Sequence, residues 1–227
     1  MNKKLLIKNI KDLTKMYYLV PIGERDAYSF EIMRNLIEEY LEKNPKDTEV
    51  WLRLAMLEFT PPFEDPEMIS EYLYGIFKYD PYNIYATITL ACIQDVLRGE
   101  ITEEIFEKLN TLSSDSPELN SMIELEKAKY YQCKDNDALY EKYLLNSIRD
   151  CNKHVKNYKY LAYLYKQQGK KKEAKQLAQK ALSNVKVIYG ENSPITDVTD
   201  IEEFINEYIK GTHITDSNLK SIYKLLQ

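Results

Sequence analysis

The sequence predicts an all-α fold, a solenoid of about five helical hairpins closed by a C-terminal pair of capping helices. Three observations carry this. Pro45, Pro81 and Pro117 fall 36 residues apart, each ending a turn between two apolar-periodic stretches; a fixed period of that size marks stacked hairpins, because each hairpin buries its apolar face only against its neighbours. The 227 residues contain only 6 Gly and 8 Pro, too few for a β-rich or disordered chain. Apolar residues recur at helical spacing throughout, and 44% hydrophobic content is enough for a substantial core.

The expected helices, in order, are 3–18, 25–43, 47–59, 66–79, 82–98, 101–112, 117–133, 136–150, 154–168, 171–188, 199–210 and 215–226. Pro66 and Pro117 suit first-turn positions, where the missing N–H is no loss. Thr199 with Glu202 reads as a capping box. Tyr189 to Val198, holding Gly190 and Pro194, reads as the ordered loop before the capping helices. The whole chain is expected to be one domain, with an N-terminal helix in 1–25, repeats in 26–188, and the loop and caps in 189–227.

The clearest unit runs from Tyr158 to Leu182. Tyr158, Leu161 and Tyr165 form one stripe at i, i+3 and i+7. Gly169 is placed to take the left-handed conformation that ends a helix, and Ala162, Ala174 and Ala181 allow close approach of two backbones. This unit resembles the tetratricopeptide repeat, in which helix A carries an aromatic, Leu, a small residue and an aromatic, and helix B carries two Ala at the contact. It departs from that family at Ala178, where a large aromatic is usual and neighbouring Leu177 is available instead. The register extends backwards. Pro45 stands six residues before Trp51, which is followed by Leu54 and Ala55. Pro81 stands six before Thr87, with Leu90 and Ala91, so the aromatic is lost. Pro117 stands six before Ile123, but Glu126 and Lys127 replace Leu-Ala, and only Tyr130 and Tyr131 restore part of the pattern. The register also makes Trp51 a core residue, so that Trp51→Ala costs about 3–5 kcal/mol.

Charge is segregated. Residues 1–23 carry +4, 24–126 carry −15, 127–190 carry +10 and 191–227 carry −4, within a net charge of −5. A field of that size steers a complementary partner. A basic protein is therefore the expected partner for the acidic half, and nucleic acid is not: the lysines of 153–175 sit mostly at outward repeat positions, without an aromatic platform.

The repeat resemblance implies that the A helices line a concave groove, at Glu49, Leu52, Met56 and Phe59, then Tyr85, Ile88, Cys92 and Asp95, then Ser121, Glu124, Ala128 and Tyr131, then Lys156, Lys159, Tyr163 and Lys166. The candidate partner-binding residues are Glu49, Phe59, Tyr85, Asp95, Glu124, Tyr131 and Tyr163 from this groove, since Tyr beside charge is what interfaces favour. The acidic residues at helix starts complete the set: Glu64, Asp65, Glu67, Glu100, Glu103, Glu104 and Glu107. For these, stabilisation of the helix dipole competes as an explanation.

No catalytic constellation stands out, and no enzyme activity, cofactor or metal is expected. His154 and His213 lie in different units without ligand spacing. His154 follows Cys151 by three residues, a pairing more often coincidental than nucleophilic. Cys92, Cys133 and Cys151 form no disulfide framework. Leu5 to Ile7 is too short for the apolar region of a secretory signal, and no stretch reaches the roughly 18 apolar residues of a membrane helix. A bacterial, cytoplasmic protein, monomeric or weakly dimeric, is the expectation.

The function class is a non-catalytic protein-binding module. In size, charge and lack of catalytic residues the chain is similar to the all-helical immunity proteins of contact-dependent growth inhibition and related polymorphic toxin systems. That resemblance implies a bound basic, nuclease-type toxin whose phosphate-binding cleft is blocked by the acidic surface. The alternative is a regulatory or co-chaperone adaptor holding a peptide in its groove. A clamp for a peptide carboxylate would need Lys and Asn on adjacent A helices, whereas Lys156, Lys159 and Lys166 share one helix.

Overall fold

The computed structural model describes residues 1–60, 62, 65–190, 200–209, 211 and 214–227, the side chains of Phe204 and Ile209 excepted. Among these there are twelve α-helices and no strand: α1 (Lys3–Leu19), α2 (Ala27–Lys43), α3 (Thr48–Leu57), α4 (Pro66–Phe77), α5 (Ile84–Arg98), α6 (Glu103–Thr111), α7 (Pro117–Cys133), α8 (Asp137–Asp150), α9 (Val155–Gln167), α10 (Lys171–Tyr189), α11 (Ile201–Ile209) and α12 (Asp216–Leu226). All twelve expected helices are present, most ending within two residues of the expected bounds. The all-α, helical-hairpin class is therefore established.

The starts are set by local chemistry. Asn2, Asp26, Asp47, Asp65, Ser116, Asn136 and Thr215 each accept a backbone N–H of the helix that follows, satisfying donors that the first turn leaves open. Pro66 and Pro117 occupy first-turn positions as the sequence requires. Gly169 has φ +78°, the left-handed conformation that turns the chain from α9 into α10. Tyr189 ends α10 and Gly190 caps it with φ +83°; 191–198 of the expected loop, Thr199 of the expected capping box and His213 lie outside the described residues. At the start of α11, Asp200 Oδ1 accepts the amide of Glu203 at 3.0 Å.

The chain divides into two compact units. The first comprises Met1–Ile93 and Asp197–Asn206. In it α1 packs on α2, α2 on α3 and α3 on α4, burying Leu6, Ile10, Phe30, Met33, Ile37, Leu54, Ala55, Leu73 and Ile76. The Trp51 indole packs against α4, with its Nε1 donating to the Pro45 carbonyl at 2.8 Å, so this proline turn and the helix after it are tied together. Glu58 is fully buried and is held by a two-pronged bond from Arg34, 2.7 Å at each oxygen.

The second unit comprises Gln94–Thr196 and Glu207–Gln227. Its tightest pairs are α7 with α8 and α9 with α10, and α12 packs on α9 and α10. Tyr158, Ala162, Ala178, Ala181, Ile214, Ile222 and Leu225 form the core of the last repeat, with Leu177 packed at its side. Ala178 is completely buried and Leu177 lies beside it, so the place of the family's aromatic is shared by a small residue and its neighbour.

Candidate partner-binding surface

In the first unit the predicted A-helix positions divide sharply. Leu52 and Met56 are core residues, Phe59 is half-buried, and Glu49 is exposed. Glu49 is engaged within the chain: Lys3 Nζ lies 2.7 Å and Arg53 Nη1 3.0 Å from its carboxylate. The hydrogen bond from Lys3 and the Arg53 charge hold that carboxyl below the usual range, against the opposing effect of burial. Asp65 caps α4, accepting the amides of Glu67 and Met68 at 3.1 Å each, and Glu67 is exposed in the first turn. Glu64 lies outside the described residues. Tyr85, at 38% exposure, stands near the α4–α5 turn of the same unit with exposed Tyr79 and Tyr82.

Arg53 carries the least expected geometry of this unit. It is 8% exposed, and its Nε and Nη2 reach the two carboxylate oxygens of Glu202 at 2.6 and 2.9 Å. The neighbouring Ile201 is completely buried, its amide donates to Thr14 Oγ1 at 3.2 Å, and Lys11 lies 3.7 Å from Asp200. The first turn of α11 is thus bound to α1 and α3.

In the second unit, Glu100, Glu103, Glu104 and Glu107 are all exposed. Glu103, Glu104 and Glu107 fall in the first two turns of α6 and Glu100 precedes its N-cap Thr102, so the four make an acidic ridge at the helix start. Glu103 is partly committed, because the Tyr130 hydroxyl donates to its carboxylate. Tyr130 stacks on Phe106 with centroids 3.9 Å apart, and Tyr131 stacks on Tyr143 at 5.3 Å. Glu124 accepts from Lys127 at 3.0 Å and from Asn146 at 2.8 Å. Asp95 pairs with Lys129 at 3.3 Å, and Lys129 also bonds the buried Glu126 at 3.0 Å. Tyr163 is 36% exposed on α9. Of the predicted groove residues here, Asp95 and Glu124 therefore spend their charge inside the protein, while Tyr131 and Tyr163 offer ring surface.

Sequence reasoning missed the buried charges. Glu126 and Lys127, which interrupt the Leu-Ala pattern, are both buried, as is Lys129. Burial pushes the Glu126 carboxyl up, against the pull of Lys129. Lys159 is likewise buried and donates to Asn218 Oδ1 at 2.7 Å; burial foremost, then the Lys156 and Lys129 charges, lower its pKa to about 8. His154 is also buried, with Nδ1 2.8 Å from Ser121 Oγ in a network that includes Ser147 and Asn157. The hidden signal was the i, i+3 pairing of Glu126 with Lys129, which reads equally well as a solvated pair.

No group of three or more His, Cys, Asp or Glu able to hold a metal occurs among the described residues, and none of their helices is long and apolar enough to cross a membrane.

No protein-family model matches the chain, and no curated sequence matches it. Solved structures do. The chain is similar to PilW, described as a widely conserved type IV pilus biogenesis factor, with TM-score 0.60, 17% identity, and coverage of 99% of this chain and 91% of that one. It is similar to PilF of Pseudomonas aeruginosa, with TM-score 0.58, 14% identity, and coverage of 94% and 89%. It is also similar to MamA, with TM-score 0.55, 15% identity, and coverage of 71% and 92%. These neighbours are tetratricopeptide-like helical solenoids, and at such low identity they establish that fold and nothing further.

Proposed function

We propose that the chain is a protein-interaction module of the adaptor kind, whose A-helix faces hold a segment of a partner protein. One observation carries the reading: in a tetratricopeptide-like fold, Tyr85 and Tyr163 stand exposed at the positions that the repeat register assigns to the ligand face. Tyrosine rings supply contact area at little conformational cost. Because Asp95 and Glu124 are neutralised internally, recognition rests on ring contact and backbone hydrogen bonding more than on charge. Within the second unit, Tyr131 adds half-buried ring surface of the same kind.

A second reading has its own support. The −15 charge of residues 24–126 and the exposed Glu100, Glu104 and Glu107 suit a basic partner such as a nuclease-type toxin, which the chain would neutralise as an immunity protein.

A photo-crosslinking residue placed singly at Tyr85, Tyr163 and Glu104, in the native host, separates the two. Capture of protein from Tyr85 and Tyr163 supports the adaptor. Capture of one basic protein from Glu104 alone supports the immunity reading. No protein captured from any position overturns both.

A further inference from the structure

The first unit already holds a ligand-like segment, and it is the chain's own. Asp200, Ile201 and Glu202 present acidic, aliphatic and acidic side chains in sequence. Lys11 meets the first at 3.7 Å, the second is fully buried, and Arg53 grips the third with two bonds of 2.6 and 2.9 Å. The bonded residues lie 149 and 187 positions apart in the chain, so this is docking of a remote segment and not local helix chemistry.

Two receptor groups have a second partner within the chain when the segment is taken away. Without Glu202, Arg53 still has the Glu49 carboxylate at 3.0 Å and donates to the Glu49 carbonyl at 2.9 Å. Without the Ile201 amide, Thr14 Oγ1 still donates to the Lys11 carbonyl at 3.1 Å. On release each receptor group keeps one partner, and only the Arg53 Nε and Nη2 donors pass from carboxylate to water, which lowers the usual penalty for opening a buried polar contact. The segment is held by one aliphatic anchor, one bidentate ion pair, the longer Lys11–Asp200 pair and the Ile201 amide bond to Thr14. A contact of that size makes a weak ligand in trans, but covalent attachment in cis supplies an effective concentration on the order of millimolar.

We propose that the face formed by Lys11, Thr14, Glu49 and Arg53 is a receptor site for a short helical segment of acidic–aliphatic–acidic chemistry in a partner protein, and that Asp200 to Glu202 occupy it in cis until such a partner displaces them. The proposal rests on the protein-binding reading and gives it a partner chemistry. It also accounts for Arg53, a buried cation at an A-helix face that the charge pattern alone would leave facing an acidic surface.

The test uses the full chain and a fluorescent peptide copying residues 200–207. Binding is followed by anisotropy for the wild type, for Ile201→Ala/Glu202→Gln, and for the same double variant carrying Arg53→Met. If the internal segment occupies the site about nine-tenths of the time, freeing it tightens apparent affinity about tenfold, and Arg53→Met then abolishes the gain. Equal affinity of wild type and double variant, or a gain that survives Arg53→Met, overturns the proposal. Should the double variant lose its helical circular dichroism, Glu202→Gln alone is used, with a gain of about threefold expected and no gain overturning the idea. Crosslinking at Tyr85 and Tyr163 combined with no gain here would reject the internal ligand while leaving the adaptor reading intact.

Discussion

The indole of Trp51 lies across Gly75, so that a methyl group on that glycine would meet the ring at 3.6 Å. That is ordinary van der Waals distance, and Gly75 sits inside α4. Gly75→Ala is therefore expected to be tolerated and to stabilise by up to about 1 kcal/mol through helix propensity. Gly75→Leu, which must displace the ring, should destabilise by about 1–3 kcal/mol. Trp51→Ala is expected near the low end of its range, about 3 kcal/mol, because the ring is only half-buried. Urea midpoints of the three variants check the set, and a near-neutral Trp51→Ala would sink the repeat register.

Lys159 gives a pH dependence with a defined sign. Its folded pKa, about 8, is depressed from 10.5, chiefly by burial. The folded state therefore loses this proton more readily than the unfolded one. The Lys159 contribution is unfavourable below pH 8 and is relieved as pH rises towards 10.5. Between pH 8 and 9.5 the wild type should gain on the order of 1–2 kcal/mol from this residue. Lys159→Met should remove that slope while raising stability at pH 7. A slope unchanged in the variant would show that another group titrates there.

The Asp95–Lys129–Glu126 group, in which Lys129 and Glu126 are buried, should behave asymmetrically. Lys129→Met leaves Glu126 without its near cation and is expected to cost about 3–5 kcal/mol. Adding Glu126→Leu should recover a large part of that loss. Thermal unfolding of both variants checks the coupling, and additive losses would contradict it.

Gly211 differs from Gly169 in what surrounds it. Both have positive φ, but a Cβ at Gly211 would lie 2.5 Å from Met122 Sδ and 3.0 Å from His154 Cε1, whereas nothing lies within 4 Å at Gly169. Gly211→Ala is expected to cost about 2–4 kcal/mol and Gly169→Ala only about 1 kcal/mol. Equal losses in denaturant melts would show that the Gly211 turn relaxes freely.

For the acidic ridge, Glu100→Lys/Glu104→Lys/Glu107→Lys is the informative variant, because Glu103 anchors Tyr130 and Asp65 caps α4. Association with a basic partner should slow at least severalfold and lose salt dependence, with circular dichroism unchanged. An unaltered rate in stopped-flow mixing would rule out this ridge as the contact.

The helices were legible because their signals are local. Pro66 and Pro117 mark first turns, Gly169 marks the end of α9, and the apolar stripe of Tyr158, Leu161 and Tyr165 needs only its own two turns of helix. The candidate site was less legible. Glu49 and Glu124 read as free acidic groups on an open face, yet each is paired within the chain. Glu126 and Lys127 read as a degenerate repeat, yet both are buried, and Glu126 pairs with the buried Lys129, whose other partner, Asp95, stands 34 residues before it.

By itself, then, the sequence determined where each helix begins and ends, that the helices form hairpins, and that charge is unevenly spread among them. These properties depend on side chains within about four residues of one another. Only the tertiary structure decided which charges remain available to a partner and that Glu202 closes on Arg53. A charge is spent or free according to its distance in space and its exposure to water, and neither quantity is carried by position along the chain.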